Sequence, residues 1–211
     1  MRVIGVDDAT RANVIGSLVI AAVEVKDRRI LKSRLIRDSK LLTRKQRDRI
    51  VEKMRPKVRY SIQWITPHEI DSMNINDLSA KYTFRALNEF DRFWEAKIYI
   101  DLCDPNRELF IKRLKKFMPR RLKNLDMSNW VIEHDADANY KICSLASIFA
   151  KYYSDLEYDE LKLKYDIGSG LPMDLKTRRF LLKHLYDNHP IIRYKWKTVE
   201  RLRSQRRRAQ N

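Results

Sequence analysis

Acidic side chains follow three separate apolar segments in this chain of 211 residues. The segments and their acids are 3–6 with Asp7 and Asp8, 97–100 with Asp101, and 130–132 with Asp137 a few residues further on. Short runs of β-branched and apolar residues predict buried strands, so the acids are expected where strands end. If these strands are neighbours in one sheet, the carboxylates come together, and such a cluster of hard oxygen donors suits Mg²⁺ or Mn²⁺.

A single aspartate in such a position has a simpler explanation. Asp at the end of a strand commonly forms a turn or accepts hydrogen bonds as the N-cap of a helix. That explanation fits each acid taken alone. The recurrence of the pattern in three strands is the reason to favour a metal site.

The charge of the whole chain indicates a polyanionic partner. Lys and Arg number 45 against 28 Asp and Glu, which gives a net charge of +17. An excess of this size is typical of proteins that bind nucleic acid. The alternative is a surface solvated by basic side chains, as in many thermophile proteins.

Other classes of protein fit the sequence poorly. Cys103 and Cys143 have no metal-like spacing, so neither a zinc site nor a disulfide framework is expected, and the setting should be the reducing cytoplasm. No apolar run approaches the roughly 18 residues that a membrane span needs. The first residues lack a basic region followed by a cleavable apolar one, so we expect no secretion signal and no membrane partner.

The order of the predicted strands and helices indicates the fold class. Strands are predicted over 2–7, 14–25, 58–65, 97–101 and 129–133. The first two follow each other closely and should be antiparallel, whereas helices separate the later ones. This order predicts an α/β fold whose sheet begins antiparallel and continues with parallel strands.

The helical segments suggest one compact domain with an appendage. Helices are predicted from about 43 to 54, from 74, after Pro105, over 140–163 and over 175–187. We expect a catalytic domain over 1–174 and a helical C-terminal extension with a basic tail over 175–211. The tail arginines would supply nonspecific duplex affinity or simply be solvated; they are Arg201, Arg203, Arg206, Arg207 and Arg208.

Several short motifs occur in an order that identifies a family. They are GVDDATRA with VIG at 5–16, DSK-x-LT around Asp38, Asn76, IYID ending at Asp101, AD at 136–137, S-x-ASI-x-AK at 144–151, GSG-x-P-x-D at 168–174, and WKT at 196–198. Together they resemble ribonuclease HII, the type 2 ribonuclease H, and most closely its archaeal form. The resemblance covers nearly the whole chain.

The resemblance implies a ribonuclease H-like fold with a five-stranded sheet and a two-metal site. Its four catalytic and metal-binding carboxylates would be Asp7, Asp8, Asp101 and Asp137, holding Mg²⁺ or Mn²⁺. Such enzymes hydrolyse the RNA strand of RNA–DNA hybrids, or cut on the 5′ side of a ribonucleotide embedded in duplex DNA, leaving 3′-hydroxyl and 5′-phosphate ends. We expect a monomer.

The resemblance also implies substrate contacts. The turn of Thr10, Arg11 and Ala12 would recognise the ribose 2′-hydroxyl through its backbone, and Leu171 stands where the family packs a tyrosine on the sugar. Phosphate contacts are expected from Ser39, Lys40, Asn76 and Lys197, and Ser144 would touch the substrate backbone. Their alternatives are ordinary surface-loop positions and, for Ser144, helix packing. His134 beside the acids is expected to be structural.

Departures from the family pattern lie at the expected site. Asp8 replaces a glutamate, Thr10 and Ala12 replace glycines, Leu171 replaces the tyrosine, and Asp135 replaces a lysine. Asp135 would repel substrate phosphate, add a metal ligand, or point to solvent. We expect an active nuclease that is slower or less selective. The rivals are a nucleic-acid-binding relative without turnover and a nuclease that acts on DNA alone.

Overall fold

The structure is a computed structural model that describes residues 2–36 and 39–210. Asp38, which belongs to the DSK motif, therefore lies outside the described residues. The other residues expected at the site are all described.

A mixed sheet of five strands forms the centre of the fold. Its strands are β1 (Val3–Ala9), β2 (Leu18–Val25), β3 (Arg59–Ile65), β4 (Lys97–Asp101) and β5 (Val131–Glu133). They lie in the order β3-β2-β1-β4-β5, with antiparallel pairs on the β3-β2-β1 side and parallel pairs from β1 to β4 and β5. The predicted fold class is confirmed, and the three strands that precede the acids are neighbours.

The first strand is longer than the sequence predicts. Asp7 and Asp8 remain paired with Ala21 and Ile20 of β2, and the pairing continues to Ala9. The two acids therefore lie within β1 rather than beyond its end. Since neighbouring side chains of a strand point to opposite faces, Asp7 and Asp8 face different layers of the protein.

The single strand predicted over 14–25 is wrong, because the chain bends before β2. Gly16 has a φ of 80°, in the left-handed region that favours glycine. The residues before the bend leave the sheet, and Ile15 pairs with Ile192 instead.

Helices cover both faces of the sheet. The described residues contain α1 (Arg44–Met54), α2 (Pro67–Ser72), α3 (Ile75–Asn88), α4 (Arg107–Phe117), α5 (Ala136–Asn139), α6 (Lys141–Lys164), α7 (Leu175–Lys183) and α8 (Lys197–Gln210). The predicted helix over 175–187 is too long by one turn. It ends at Lys183, and the chain then reverses through Asn188, whose φ is 49°. None of these helices has the length and apolarity that crossing a bilayer demands.

Two hydrophobic cores fix the sheet between its helices. The α3 and α4 side chains pack on one face, and those of α1 and α6 pack on the other. Contact with α6 is very close at Gly5, where an added Cβ would lie 2.3 Å from the carbonyl oxygen of Ile142. Glycine is required here because the backbone of α6 occupies the space of a side chain.

A third hydrophobic cluster joins the C-terminal segment to the residues before β2. It contains Val14 and Ile15 together with residues of α6, α7 and α8. Arg203 and Arg206 of α8 donate to the carbonyl oxygens of Leu185 and Leu182, near the C-terminus of α7. These two tail arginines thus have structural partners. The division at residue 174 stays a prediction.

Candidate active site

The parallel pairing of β1 with β4 brings the predicted acids to one edge of the sheet. Val6 lies opposite Ile100, so Asp7 and Asp101 occupy the next position on adjacent strands. Asp137 lies on the short helix α5 that follows β5 and is almost fully buried. The backbone N–H of Ala136 donates to Asp101 Oδ1 at 2.8 Å, which joins α5 to the end of β4.

The acids perturb one another strongly. Burial raises the pKa of Asp7 well above its ordinary value, and the charges of Asp8 and Asp101 raise it further. The pKa of Asp101 is raised by burial and by the charge of Asp137. Desolvated carboxylates that repel each other are stabilised by a nearby cation, so the edge favours positive charge.

Arg11 supplies part of that charge on the α3 side of the sheet. Its guanidinium donates to Asp8 Oδ2 at 3.2 Å, Ser79 Oγ at 2.8 Å, Asn76 Oδ1 at 2.6 Å and the Cys103 carbonyl oxygen at 3.2 Å. The side chain of Arg11 is therefore an internal anchor. It holds Asp8 and Asn76 together through the Asp8 carboxylate and the Asn76 side-chain oxygen.

Lys40 supplies charge on the other side. Its Nζ lies 3.4 Å from Asp137 Oδ2 and 3.9 Å from Asp135 Oδ1. Asp135 is largely exposed and has a φ of 57°. The sequence allows Asp135 to repel phosphate, to bind metal or to point to solvent. In the structure its carboxylate is exposed and lies beside Lys40.

The serines of the predicted site are buried and bonded to protein groups. Ser39 Oγ lies 2.8 Å from Ser147 Oγ and accepts a hydrogen bond from Lys151. Ser144 Oγ donates to the carbonyl oxygen of Asp137. These hydroxyls position the loop and the helix around the acids. For Ser144 this is the packing role that the sequence left open.

The turn over 10–12 has an unusual backbone at its first residue. Thr10 has a φ of 67°, which costs a β-branched residue about 1–2 kcal/mol. Its Oγ1 donates to the Ser17 carbonyl oxygen at 2.7 Å, and its own carbonyl accepts from the Asn13 N–H at 3.0 Å. Ala12 is exposed. The turn thus keeps a glycine-like shape without glycine.

The glycine-bearing loop over 166–174 lies beside this turn. The Gly170 carbonyl oxygen accepts from the Val14 N–H at 2.9 Å, and the Ser169 carbonyl accepts from Asn13 Nδ2 at 3.3 Å. Leu171 follows directly and is 44% exposed. The side chain of Leu171 is therefore exposed beside this turn.

Lys197 lies at the start of α8 and is exposed. It borders an open groove of about 670 Å³ that is lined by residues 70–75 and 195–198. The lining ends one residue before Asn76. Of the four residues expected to contact phosphate, Lys197 thus lines this groove and Asn76 follows its lining directly in the chain.

Arg193 is a residue that the sequence reasoning missed. It is fully buried, and burial lowers its pKa to about 10. Its guanidinium donates to the carbonyl oxygens of Gly16 at 2.8 Å, Thr10 at 2.9 Å and Arg11 at 3.4 Å. The available signal was the pair of isoleucines before it, a short β-like run after Pro190 that needed a partner strand.

The residues present fit a divalent ion by their chemistry. Asp137 Oδ1 is buried and has no hydrogen-bond partner among the described residues, and the donors are all carboxylate oxygens. In the ranges 2–36 and 39–210, however, no three His, Cys, Asp or Glu side chains are gathered as a ligand set. In this arrangement Arg11 engages Asp8 and Lys40 engages Asp137.

Comparison with known proteins places this arrangement in a family. The family model described as Ribonuclease HII matches residues 4–199. Ribonuclease HII of Pyrococcus abyssi is 36% identical over 100% of this chain and 95% of its own length. Ribonuclease HII of Methanococcus maripaludis is 34% identical over 95% of this chain and 86% of its own.

Solved structures agree with the sequence matches. The ribonuclease H2 of Pyrococcus horikoshii superposes with a TM-score of 0.82 at 33% identity, covering 98% of this chain and 99% of that one. A ribonuclease HII solved in complex with PCNA, from Archaeoglobus fulgidus, has a TM-score of 0.77 at 28% identity and covers 93% and 96%. Bst-RNase HIII in complex with Mn²⁺, at 16% identity, a TM-score of 0.74 and coverage of 99% and 71%, shares the fold.

The sheet, its helices and these matches define an endonuclease of the ribonuclease H-like class. More particularly, the chain belongs to the ribonuclease HII family, whose members hydrolyse RNA in RNA–DNA hybrids.

Proposed function

We propose that this protein is a metal-dependent endoribonuclease that hydrolyses the RNA strand of RNA–DNA hybrids and cuts at ribonucleotides embedded in duplex DNA. The observation that carries the proposal is the group of buried aspartates at the joined ends of β1 and β4 and on α5. Family membership over the full chain supports the same reaction. The products would be 3′-hydroxyl and 5′-phosphate ends.

The four aspartates at 7, 8, 101 and 137 would hold Mg²⁺ or Mn²⁺ as a two-metal site. Bound divalent ions of this kind lower the pKa of a bound water and neutralise charge on the phosphate and the leaving oxygen. The mutual repulsion of the carboxylates and the unpartnered Oδ1 of Asp137 support this role. Asp8 is the weakest of the four candidates, because Arg11 already engages it.

Basic and amide groups around the acids would orient the duplex. The ammonium group of Lys40 lies at the edge of the acid cluster and is more than half exposed, so a substrate phosphate can compete with Asp135 and Asp137 for it. Asn76 and Lys197 would contact phosphates further along the backbone. Ser39 and Ser144 would act by fixing the protein groups that they bond, as described above.

Recognition of the ribose would come from the turn over 10–12 and from Leu171. The N–H groups of a fixed turn can bind a hydroxyl that deoxyribose lacks, and such hydrogen bonds give strong discrimination. Leu171 offers an exposed apolar surface for the sugar but has neither ring nor hydroxyl. We therefore propose that cleavage at a single ribonucleotide is weaker than cleavage within a hybrid.

A second candidate is a nucleic-acid-binding relative without turnover. It is favoured by one observation, namely that Arg11 and Lys40 lie against two of the four carboxylates. A protein that no longer binds metal would need such internal cations to neutralise the acids. The strong basic charge would serve duplex binding in either case.

Cleavage of a matched duplex series tests both candidates. The substrates are an all-DNA duplex, the same duplex with one or with four ribonucleotides, and a full RNA–DNA hybrid, each in Mg²⁺, Mn²⁺ or EDTA. We expect cleavage that needs metal and ribose, gives 3′-hydroxyl ends, and disappears in Asp7→Asn. Binding of every duplex without cleavage in either metal would leave the binding relative, and cleavage of the all-DNA duplex would indicate a DNA nuclease.

The assembly state is a further part of the proposal. We expect the protein to act as a monomer whose residues 175–211 form an extension of the catalytic domain over 1–174. The Archaeoglobus fulgidus complex supports PCNA as a candidate partner. Size-exclusion chromatography of the protein alone and with an archaeal PCNA tests both points. We expect the protein alone to elute at the volume of a monomer, and the mixture to contain a peak that elutes earlier than either component.

A further inference from the structure

Arg193 is the largest fully buried side chain of the described residues, and its Nη2 atom has no hydrogen-bond partner among them. A buried guanidinium with an unpartnered nitrogen is costly, and an apolar residue of similar size would often be more stable. Its hydrogen bonds indicate why a guanidinium is present. They go to backbone carbonyl oxygens, and two of these belong to the turn over 10–12.

Both the backbone and the guanidinium of Arg193 are held by neighbouring residues. Its own N–H donates to the Val14 carbonyl oxygen at 2.9 Å, and the Gly16 N–H donates to the Ile191 carbonyl at 2.8 Å. On its other side, the guanidinium lies 5.5 Å from the centre of the Trp196 ring. The planar fork is thus held in one orientation, in which Nε and one terminal nitrogen reach different carbonyls.

The turn that Arg193 holds needs an external support. Thr10 has the left-handed backbone that a β-branched residue avoids. Its carbonyl oxygen accepts two hydrogen bonds, one from the Asn13 N–H and one from Arg193. The second comes from a segment 183 residues away. It fixes the orientation of the Thr10–Arg11 peptide from outside the turn.

We infer that Arg193 is a positioning residue that fixes the backbone of the turn over 10–12 for recognition of the ribose at the cleavage site. The inference rests on the function proposed above for that turn. Arg193 itself would not touch the substrate. Arg193 would set the orientation of the peptide groups that contact the ribose. The C-terminal segment would thereby become part of the ribose-recognition site.

The test compares two arginines whose guanidinium groups both donate to the carbonyl oxygens of a turn. Arg193→Lys keeps the positive charge and removes the planar guanidinium with its several N–H donors. Arg2→Lys is the matched control, because Arg2 also donates to the carbonyls of a turn with a left-handed residue, Asp91 and Arg92, at the opposite end of β1. Both variants lose guanidinium donors to turn carbonyls, but only Arg193→Lys loses them at the turn over 10–12. Arg2 also pairs with Glu24 and Glu95, so its replacement perturbs ionic contacts as well.

For Arg193→Lys we expect kcat on the single-ribonucleotide duplex to fall by about 10–100-fold, since a misplacement of about 1 Å has an effect of this size. The Kd for the same duplex should change by less than about 3-fold, because phosphate contacts elsewhere supply the affinity. Arg2→Lys should change kcat by less than about 3-fold. An equal fall in both variants, or an unchanged kcat in Arg193→Lys, would overturn the inference.

Rescue separates positioning from simple loss of stability. Glycine adopts a φ of 67° without strain, so Thr10→Gly in the Arg193→Lys background should restore kcat by at least about 5-fold through relief of the turn. Because relief of this strain also raises Tm, both variants are assayed well below their Tm, where an enzyme that is merely less stable is folded and keeps the wild-type kcat. Absence of rescue, with a lowered Tm, would assign Arg193 to stability alone.

Amide hydrogen exchange gives a readout that does not need activity. In Arg193→Lys, exchange over 10–14 should speed up by at least about 10-fold while α1 is unchanged. If the wild-type protein cleaves no duplex, the proposed function fails, and this measurement still decides whether Arg193 fixes the turn. If Arg193→Lys does not fold, Arg193→Met removes the buried charge and enters the same comparisons.

Discussion

Replacement of Arg11 by glutamine removes the anchor that joins Asp8 to α3. The guanidinium donates four hydrogen bonds, and each bond to a charged group contributes about 1.5–3 kcal/mol. Arg11 is 26% and Asp8 is 19% exposed, so the ion pair is partly screened, and Gln keeps one donor. We therefore expect Arg11→Gln to lower the free energy of unfolding by about 3 kcal/mol, since such contacts are not additive.

For a chain of this length, about 1 kcal/mol shifts Tm by about 2–4 °C, so Tm should fall by about 6–12 °C. Activity should fall by about 10²-fold, because Asp8 and Asn76 lose their common support. Differential scanning calorimetry and the hybrid-cleavage assay measure the two effects. The matched control is Arg49→Gln, the same change at an exposed position of α1. A Tm within about 2 °C of that control would refute the reasoning.

Three further predictions concern other parts of the molecule. Asp7→Asn should abolish cleavage and raise Tm in EDTA by about 2–4 °C, because it removes a buried charge that its neighbours repel. Gly5→Ala should destabilise the protein by about 3 kcal/mol in urea unfolding, because its Cβ would overlap the Ile142 carbonyl. Burial lowers the pKa of His189 below its ordinary 6.5, so unfolding free energy should decrease as pH falls from about 6.5 through the folded pKa, and it should be constant above that range.

Each of these predictions has its own control. For Asp7→Asn, Mg²⁺ or Mn²⁺ should raise Tm in the wild type but not in the variant; a Tm below that of the wild type in EDTA would contradict the repulsion argument. Ala12→Gly, an exposed change of the same size, is the control for Gly5→Ala, and equal effects would exclude the close contact. His189→Gln should flatten the acid limb of the stability curve, and an unchanged limb would assign it to other groups.

The architecture was predictable because hydrophobic period and motif order depend on local sequence. The pairing of β1, β4 and β5 followed from apolar runs that end in acid. The helix predicted from about 43 to 54 is α1, which the side chain of Thr43 caps. The errors lie where distant residues decide. The break before β2 depends on Gly16 and on the pairing of Ile15 with Ile192, and no local pattern near residue 14 reveals a partner so far along the chain.

The sequence predicted which acids gather at one edge of the sheet, but it did not reveal the side chains that hold them. Asp7, Asp101 and Asp137 stand out because the same pattern, an apolar run followed by acid, recurs in three segments. The side chains that hold them, such as Arg11 and Arg193, look like any other of the 45 basic residues, and only tertiary contacts distinguish them. The metal, the products and the ribose preference remain predictions for the assays described above.

The pairing of the segment around Arg193 with the residues before β2 has a consequence for synthesis. Sheet strands β1, β2 and β4 can meet as soon as the first hundred or so residues have left the ribosome. The contact from Arg193 to Gly16 spans 177 residues, so the turn cannot be fixed until nearly the whole chain has emerged. Contacts of such long range form late and slow folding. If the turn recognises the ribose as proposed, a nascent chain would hold its first acids well before it could select a cleavage site.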